Sequence, residues 1–435
     1  MKNRLITKLA KKLANLQFAI SLLFLIGVII GIGTVIEQDQ TLNFYKENYP
    51  EVNPMFGFLS WKVITLFNFD RIYTVWWFVL ILFLFASSLL SCTFTTQLPS
   101  VKTFKIWKFY NKPDQLKNLG VASNFNLGLF NSFAYHCNGN NYHFFKQNKK
   151  GYAYSGLLGR VAPIVVHMSI VLLLIGSTLG TFGGYTAQQF IPRGEIAHIQ
   201  NLTKFGNISS LPKDVSVRIN DFWITYTKDL KTDQFYSDLS LITNDGKEVK
   251  RKTIFVNEPL TFNDLVLYQT DWDIVGLKFQ LPNKEVFQAP VKKITKGGRK
   301  FWFCSLPTAD NPNKKVSVVL NDLNGQLLVY GSSGILLQQV NLGDSITLGE
   351  GLTVQVLAFL TTTGLQIKSD PGIQTVYLSF LLLMLSIYVS FFTYSQIWLV
   401  ETTQKIWVGG NSNRAVLFFQ QQFRKILNRV AKTSN

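Results

Sequence analysis

Three cysteines in 435 residues are too few to staple a domain. Cys92 ends an apolar run, Cys137 sits in a basic segment, and Cys304 alone falls between residues 185 and 372, so no disulfide can close within that stretch. Cys304 reads as a buried spectator, with an intermolecular role as the alternative. There is no CxxC, no CxxCH and no cluster with metal-ligand spacing, which leaves thiol redox chemistry and a structural zinc site unsupported. Acids are scarce too: 25 Asp and Glu stand against 43 Lys and Arg, and charged residues of both signs make up only 16% of the chain. With 47% hydrophobic residues and 36 Phe, that composition suits a part-membrane protein better than a soluble one.

Four uncharged runs are long enough to span: Phe18 to Ile36 (TM1), Thr74 to Leu98 (TM2), Val161 to Gly184 (TM3) and Ile373 to Val400 (TM4). The net charge of +18 is distributed around them in a telling way. Segments 1–17, 99–160 and 401–435 carry net charges of +5, +8 and +5, while 37–73 and 185–372 cancel. Four spans place the three basic segments on one side, and the positive-inside rule makes that side cytoplasmic or its equivalent. The basic residues therefore track membrane sidedness, which speaks against nucleic acid as a partner. The expected fold class is membrane α + β: four transmembrane helices, with one large mainly-β domain outside the membrane between the third and fourth.

The segments between the spans follow from their patterns. In 1–17, Leu5, Leu9, Leu13 and Leu16 share a helical face opposite lysines, as expected of an amphipathic helix on the inner membrane surface. The run after it is longer than a signal-peptide core and lacks an A-x-A-like site. Gly27 and Gly31 are spaced for close helix packing. The outer loop 37–73 is aromatic-rich, and Tyr73, Trp76 and Trp77 mark a membrane boundary. The inner loop 99–160 holds His136 and His143, read as solvated or packed, and a hairpin around Gly151. In the tail 401–435, Val416, Phe419, Phe423, Ile426 and Val430 recur at helical spacing, an amphipathic helix expected on the inner leaflet. The stretch 185–372 reads as β: Val215, Val217 and Ile219 alternate, the phase shifts at Asn220-Asp221 as at a bulge, and Asn244-Asp245-Gly246 marks a hairpin turn. Further short apolar runs, from 264–270 and 275–281 to 352–359, suggest a sandwich or open barrel. Asp271 and Asp273 flank Trp272, but neighbours on a strand point apart, which disfavours an acid/base pair.

His167 is the one ionisable side chain deep inside an uncharged span. The run Val161 to Gly184, ~24 residues at ~1.5 Å each, covers ~36 Å, enough for a hydrocarbon core of ~30 Å. The imidazole lies about 10 Å from the end marked by Arg160. A polar group at that depth needs a partner, which makes it a functional candidate; hydrogen bonding to a neighbouring helix for packing alone is the alternative. On a helical wheel Pro163, Ile164, Ile170, Val171 and Leu174 share its face, an apolar wall fit for a porphyrin edge, and Gly176, Gly180 and Gly184 cluster opposite. The helix is expected to have two neighbours, one close on the glycines and another, in this chain or a partner, facing the histidine.

Several blocks, in order along the chain, resemble the ResB family of cytochrome c biogenesis proteins. They are GTVIEQ (33–38), WW (76–77) running to SLLSCT (88–93), GLLGRVAPIVVH (156–167), QFYSDL (234–239), NEPL (257–260), YQTDW (268–272), and DPG (370–372) leading to SQIW (395–398). The resemblance implies a role in moving haem across the membrane, or holding it available, for covalent attachment to the CxxCH thiols of apocytochrome c. It implies haem b as a transient cofactor and His167, matched by its Arg-x-x-Pro-x-x-x-His context, as an axial ligand of the haem iron. The implied partner is a second polytopic protein of the CcsA type with a tryptophan-rich haem-handling motif, which this chain lacks. No catalytic constellation is present, so a non-enzymatic assembly subunit is expected, with a stand-alone transmembrane haem electron carrier or transporter as the alternative. The resemblance and a Phe-, Asn- and Lys-rich composition without a transit peptide suggest a plastid thylakoid membrane, both termini stromal and the large domain lumenal. A bacterial plasma membrane is the alternative.

Overall fold

The computed structural model describes residues 2–104, 108–229, 231–296, 299–308, 314–348 and 352–432. The side chain of Leu5 and the expected loop, domain and tail residues at 105–107, 230, 297–298, 309–313, 349–351 and 433–435 lie outside the described residues. The chain divides into two compact units, residues 1–178 with 372–435, and residues 179–371.

Among the described residues, four helices are long and apolar enough to cross a membrane: Leu16–Val35, Trp76–Val101, Leu158–Gly183 and Ile373–Ser390. The first is started by Asn15, whose side chain accepts from the Gln17 amide at 2.9 Å. Its Leu22, Ile26 and Ile29, spaced at helical period, pack with Phe78, Phe85 and Leu89 of the second helix and Val171 of the third. Most other apolar side chains on these helices are exposed, as helices facing lipid require. The Gly27–Gly31 pair has no such packing: a Cβ on either would meet nothing within 4 Å. Gly33 is packed more closely: a Cβ there would sit 3.0 Å from the Tyr73 hydroxyl. Just beyond it, Gln38 donates to the Phe69 carbonyl and accepts from the Ile72 amide, and the Tyr49 hydroxyl donates to Glu37 at 2.6 Å. The GTVIEQ block thus folds the aromatic loop back onto the first helix.

The fourth apolar run does not stay helical to Val400. The helix ends at Ser390, and Ser395–Glu401 is a strand. It pairs with Lys150–Ser155 on one side and Ile406–Ser412 on the other, in a five-stranded antiparallel sheet completed by Val121–Phe125 and His143–Gln147. Both faces of the strand are covered, Ile397 and Leu399 on one and Trp398 and Val400 on the other, so its centre, 397–400, is continuously apolar like a span. The C-terminal helix Val416–Lys432 is likewise accounted for by the sheet: Phe419, Phe423, Ile426 and Val430 are buried in the core with Phe133, Cys137, Ile397 and Val408. Its apolar stripe is a core face, in place of the expected membrane-surface helix. The hairpin of residues 143–155 turns at Asn148 and Lys149, and Gly151 lies within its second strand, opposite Lys146.

The second unit is the large, mostly β region. Among the described residues it holds three sheets, of seven, five and four strands. Two long antiparallel strands, Leu265–Gln280 and Thr353–Ser369, run through two cores. Leu265, Leu267, Leu365 and Ile367 enter one; Ile274, Leu277, Phe279, Val354 and Val356 enter the other. The expected runs 264–270 and 275–281 are therefore one strand, carried past three bulges. The register shift between Ile219 and Asp221 falls where the phase change predicts it, and Gly246 closes the Asn-Asp-Gly turn with φ of +81°. The strand Tyr185–Pro192, which the sequence patterns did not single out, pairs along Thr353–Ser369.

Candidate functional site

His167 lies in the third apolar helix, and the end of the second helix faces it. After Cys92 the second helix widens into a π turn, Thr93–Gln97, before resuming as Leu98–Phe104. Such turns concentrate at functional positions. This one presents both its first and last side chains to the imidazole: Thr93 Oγ1 lies 3.2 Å from Nδ1 and Gln97 Nε2 lies 3.3 Å from Nε2.

Proton accounting favours one tautomer of the ring, with the Thr93 hydroxyl hydrogen committed to Leu89. The Thr93 hydroxyl donates its hydrogen to the Leu89 carbonyl at 2.9 Å, so its oxygen serves the imidazole as an acceptor. Nδ1 carries the proton and donates to it. Nε2 is then the bare nitrogen, accepting from the Gln97 amide group over a distance just past the ordinary range for such bonds. Gln97 Oε1 is buried with no hydrogen-bond partner, an unmet acceptor of the kind that costs about 1–3 kcal/mol. The site is thus a lone-pair donor held in orientation from one side and weakly covered from the other.

The two-neighbour reading of the third helix holds, with one change. Gly176 packs closely on the fourth helix: a Cβ there would sit 3.0 Å from the Val376 nitrogen and 3.2 Å from the Gly372 carbonyl at its start. On the histidine side, Ile170, Val171 and Leu174 pack among the first two helices. Of the expected porphyrin wall this chain buries Val171, while Ile170 and Leu174, like Pro163, Ile164 and His167, stay half-buried. Thr93 and Gln97 did not emerge from the sequence as partners, although Thr93 ends the SLLSCT block and a polar Thr-Phe-Thr-Thr-Gln stretch closing an apolar helix is itself a signal.

The other candidates lie apart. His143 rests against Tyr154, His136 beside Tyr135, and His198 bonds Ser216 through Nδ1 at 3.0 Å. Among the described residues no three His, Cys, Asp or Glu side chains converge, and the side chains hydrogen-bonded to the His167 ring are Thr93 and Gln97. Cys137 and Cys304 are buried; burial pushes both thiols up, Cys304 to about 11, which leaves them inert as nucleophiles. Asp273 accepts from the Trp302 indole and pairs with Lys293 at 2.9 Å, while Asp271 lies 3.6 Å from Lys300. Both carboxylates also accept from the backbone amide of the next residue, which is a structural use.

The ResB-like family matches residues 16–284 and 281–424. A protein of Emiliania huxleyi named cytochrome c biogenesis protein Ccs1 is 51% identical over 427 residues, covering 98% of this chain and 97% of its own length. The protein of that name from Thalassiosira pseudonana is 42% identical, covering 96% of this chain and 98% of its own. Cytochrome c biogenesis protein CcsB of Trichormus variabilis is 42% identical, covering 97% and 92%. Among solved structures, a chain of cytochrome c haem lyase CcmF aligns at 10% identity with a TM-score of 0.26, covering 76% of this chain and 42% of that one, a likeness too slight to carry a fold.

Proposed function

This chain belongs to the ResB-like family, and on that premise we propose that it is a membrane subunit of the machinery that assembles c-type cytochromes. It holds haem b, or moves it across the membrane, for covalent attachment to apocytochrome c, with His167 as one axial ligand. The observation that carries this reading is the state of His167: a nitrogen lone pair at membrane depth, its ring fixed by Thr93 and its Nε2 covered by one long amide contact. The residues fit an iron porphyrin in that the donor is single and the half-exposed turn around it is apolar, so the second axial ligand comes from elsewhere. A polytopic partner of the CcsA type, with its tryptophan-rich motif, supplies it. Haem iron brings the Lewis-acid centre that takes an imidazole nitrogen. The chain's own part is to keep the proton on Nδ1, orient the ring and exclude water through the packed helices.

The β region lies between the third and fourth apolar helices in sequence and serves as a cover or docking surface for partner and apocytochrome. From the charge distribution, both termini lie on the stromal side of a thylakoid membrane and the β region in the lumen. Relatives at 42–51% identity across an alga, a diatom and a cyanobacterium suit that placement, with the surrounding lipid as the solvent of the four helices.

The test is optical. Purified with its polytopic partner, the wild-type chain is expected to show a bound-haem absorbance band, and His167→Ala to lose most of that band together with cytochrome c accumulation. A full band and normal cytochrome c in His167→Ala would remove the ligand assignment.

A further inference from the structure

Two side chains from one π turn meet the two nitrogens of His167, and they are not equivalent. Thr93 is tied down, its hydroxyl proton spent on Leu89 and its oxygen on Nδ1. Gln97 is tied only by its weak bond to Nε2, while its own carbonyl oxygen is buried and unmet. A group in that position has little to lose by moving. Turning the carboxamide away gives Oε1 a chance to find a donor and uncovers the one nitrogen of the ring that has a lone pair to offer.

We propose that Gln97 is an exchangeable cap on His167 and Thr93 the residue that sets its tautomer, so that the pair makes the histidine a site of reversible metal ligation. The inference rests on the reading of His167 as a ligand of haem iron, and deepens it. Gln97 competes with iron for Nε2 and thereby keeps ligation weak enough to release the cargo. Thr93 works in the opposite sense, because holding the proton on Nδ1 is what leaves Nε2 bare. Both are positioning residues, and the inference assigns opposite signs to their loss. A merely structural role would give both losses the same sign.

The experiment uses the full chain with its polytopic partner and iron protoporphyrin IX as the probe, read by absorbance titration. Gln97→Leu removes the competitor and is expected to tighten binding and slow release by roughly three- to tenfold, the size of one lost neutral hydrogen bond. Thr93→Val frees the tautomer and is expected to weaken binding by a similar factor, with Thr93→Ser restoring it. A second readout needs no haem: nitrogen NMR of protein labelled at histidine, with His167→Ala identifying the signal, should show Nδ1 protonated in the wild type and a mixed state in Thr93→Val. If the wild-type ring carries its proton on Nε2, or Gln97→Leu weakens haem binding as Thr93→Val does, the cap and tautomer assignment is overturned. The spectrum of His167→Ala decides separately whether the histidine ligates haem at all, so the two failures look different.

Discussion

Two sets of buried polar side chains, one in each compact unit, solve the same problem in different ways. In the β unit the hydroxyls of Ser237 and Thr363 both reach the Gln269 carbonyl oxygen and lie 2.7 Å from each other, and the Gln269 amide donates to the Asp271 carbonyl at 3.0 Å. That set is closed, and it bonds the strands Thr232–Thr243, Leu265–Gln280 and Thr353–Ser369 to one another by side chain. In the helical unit the set around His167 is left open at Gln97 Oε1. Closure gives a single arrangement and hence shape; an open end gives a group somewhere to go. The blocks QFYSDL and YQTDW belong to the first kind, and SLLSCT with GLLGRVAPIVVH to the second. The family-like blocks therefore divide between a closed polar set and an open one.

The largest expected effect breaks that contrast directly. Gln269→Leu leaves the Asp271 carbonyl and one hydroxyl without their bonds in a dry core, which should cost the β unit about 2–4 kcal/mol. Hydrogen exchange along Leu265–Gln280 and Thr353–Ser369 is the measurement, with protection falling in both strands. Gln97→Leu, made for comparison, should change the stability of the helical unit by less than about 0.5 kcal/mol, because the loss of its bond to Nε2 and the removal of the orphaned oxygen act in opposite senses. Equal losses in the two variants would end the distinction between closed and open sets.

A smaller effect should appear with acid. Arg251 grips Asp238 through Nε, 3.1 Å from each carboxylate oxygen, and this hydrogen bonding holds the carboxyl below its usual range against the opposing cost of burial. A carboxyl depressed on folding contributes stability that is complete above the unfolded value, about 3.9, and is lost as pH falls through the folded one. Protection of Thr232–Thr243 and Glu248–Phe255 should therefore decline below about pH 4, and Arg251→Met should flatten that decline.

How far the sequence reveals these features depends on whether a signal is local. The bulge at Ile219 and Asp221, the Asn-Asp-Gly turn and the four apolar helices are written in neighbouring residues, and each is legible. The strand Ser395–Glu401 is not, because a strand covered on both faces and the end of a span share one composition; only its partners at Lys150–Ser155 and Ile406–Ser412 distinguish them. The stripe on Val416–Lys432 is equally ambiguous between lipid and sheet, since either buries the same Phe419, Phe423 and Ile426. At the candidate site the histidine is legible, as the one histidine within an uncharged run. Its partners sit 70 and 74 residues earlier, and a pairing across that distance leaves no periodic trace. The wheel could rank faces of the third helix without saying which of them this chain covers itself.

The smallest expected effect sharpens the comparison from the other side. Ser169, two residues beyond His167 and buried, donates to the Val165 carbonyl at 2.7 Å, and Thr178, Ser379 and Ser386 likewise bond within their own helices at 2.7 Å. A hydroxyl folded onto its own helix satisfies itself and links nothing, and the carbonyl it uses keeps its place in the backbone ladder. Ser169→Ala should therefore change the stability of the solubilised protein by less than about 0.5 kcal/mol and leave the histidine NMR signals in place. A loss well above that would mean the hydroxyl reaches across to another helix. Polar contacts in the helical unit would then be cooperative rather than individually closed, and the open set at His167 would no longer be free to exchange its cap independently of the packing around it.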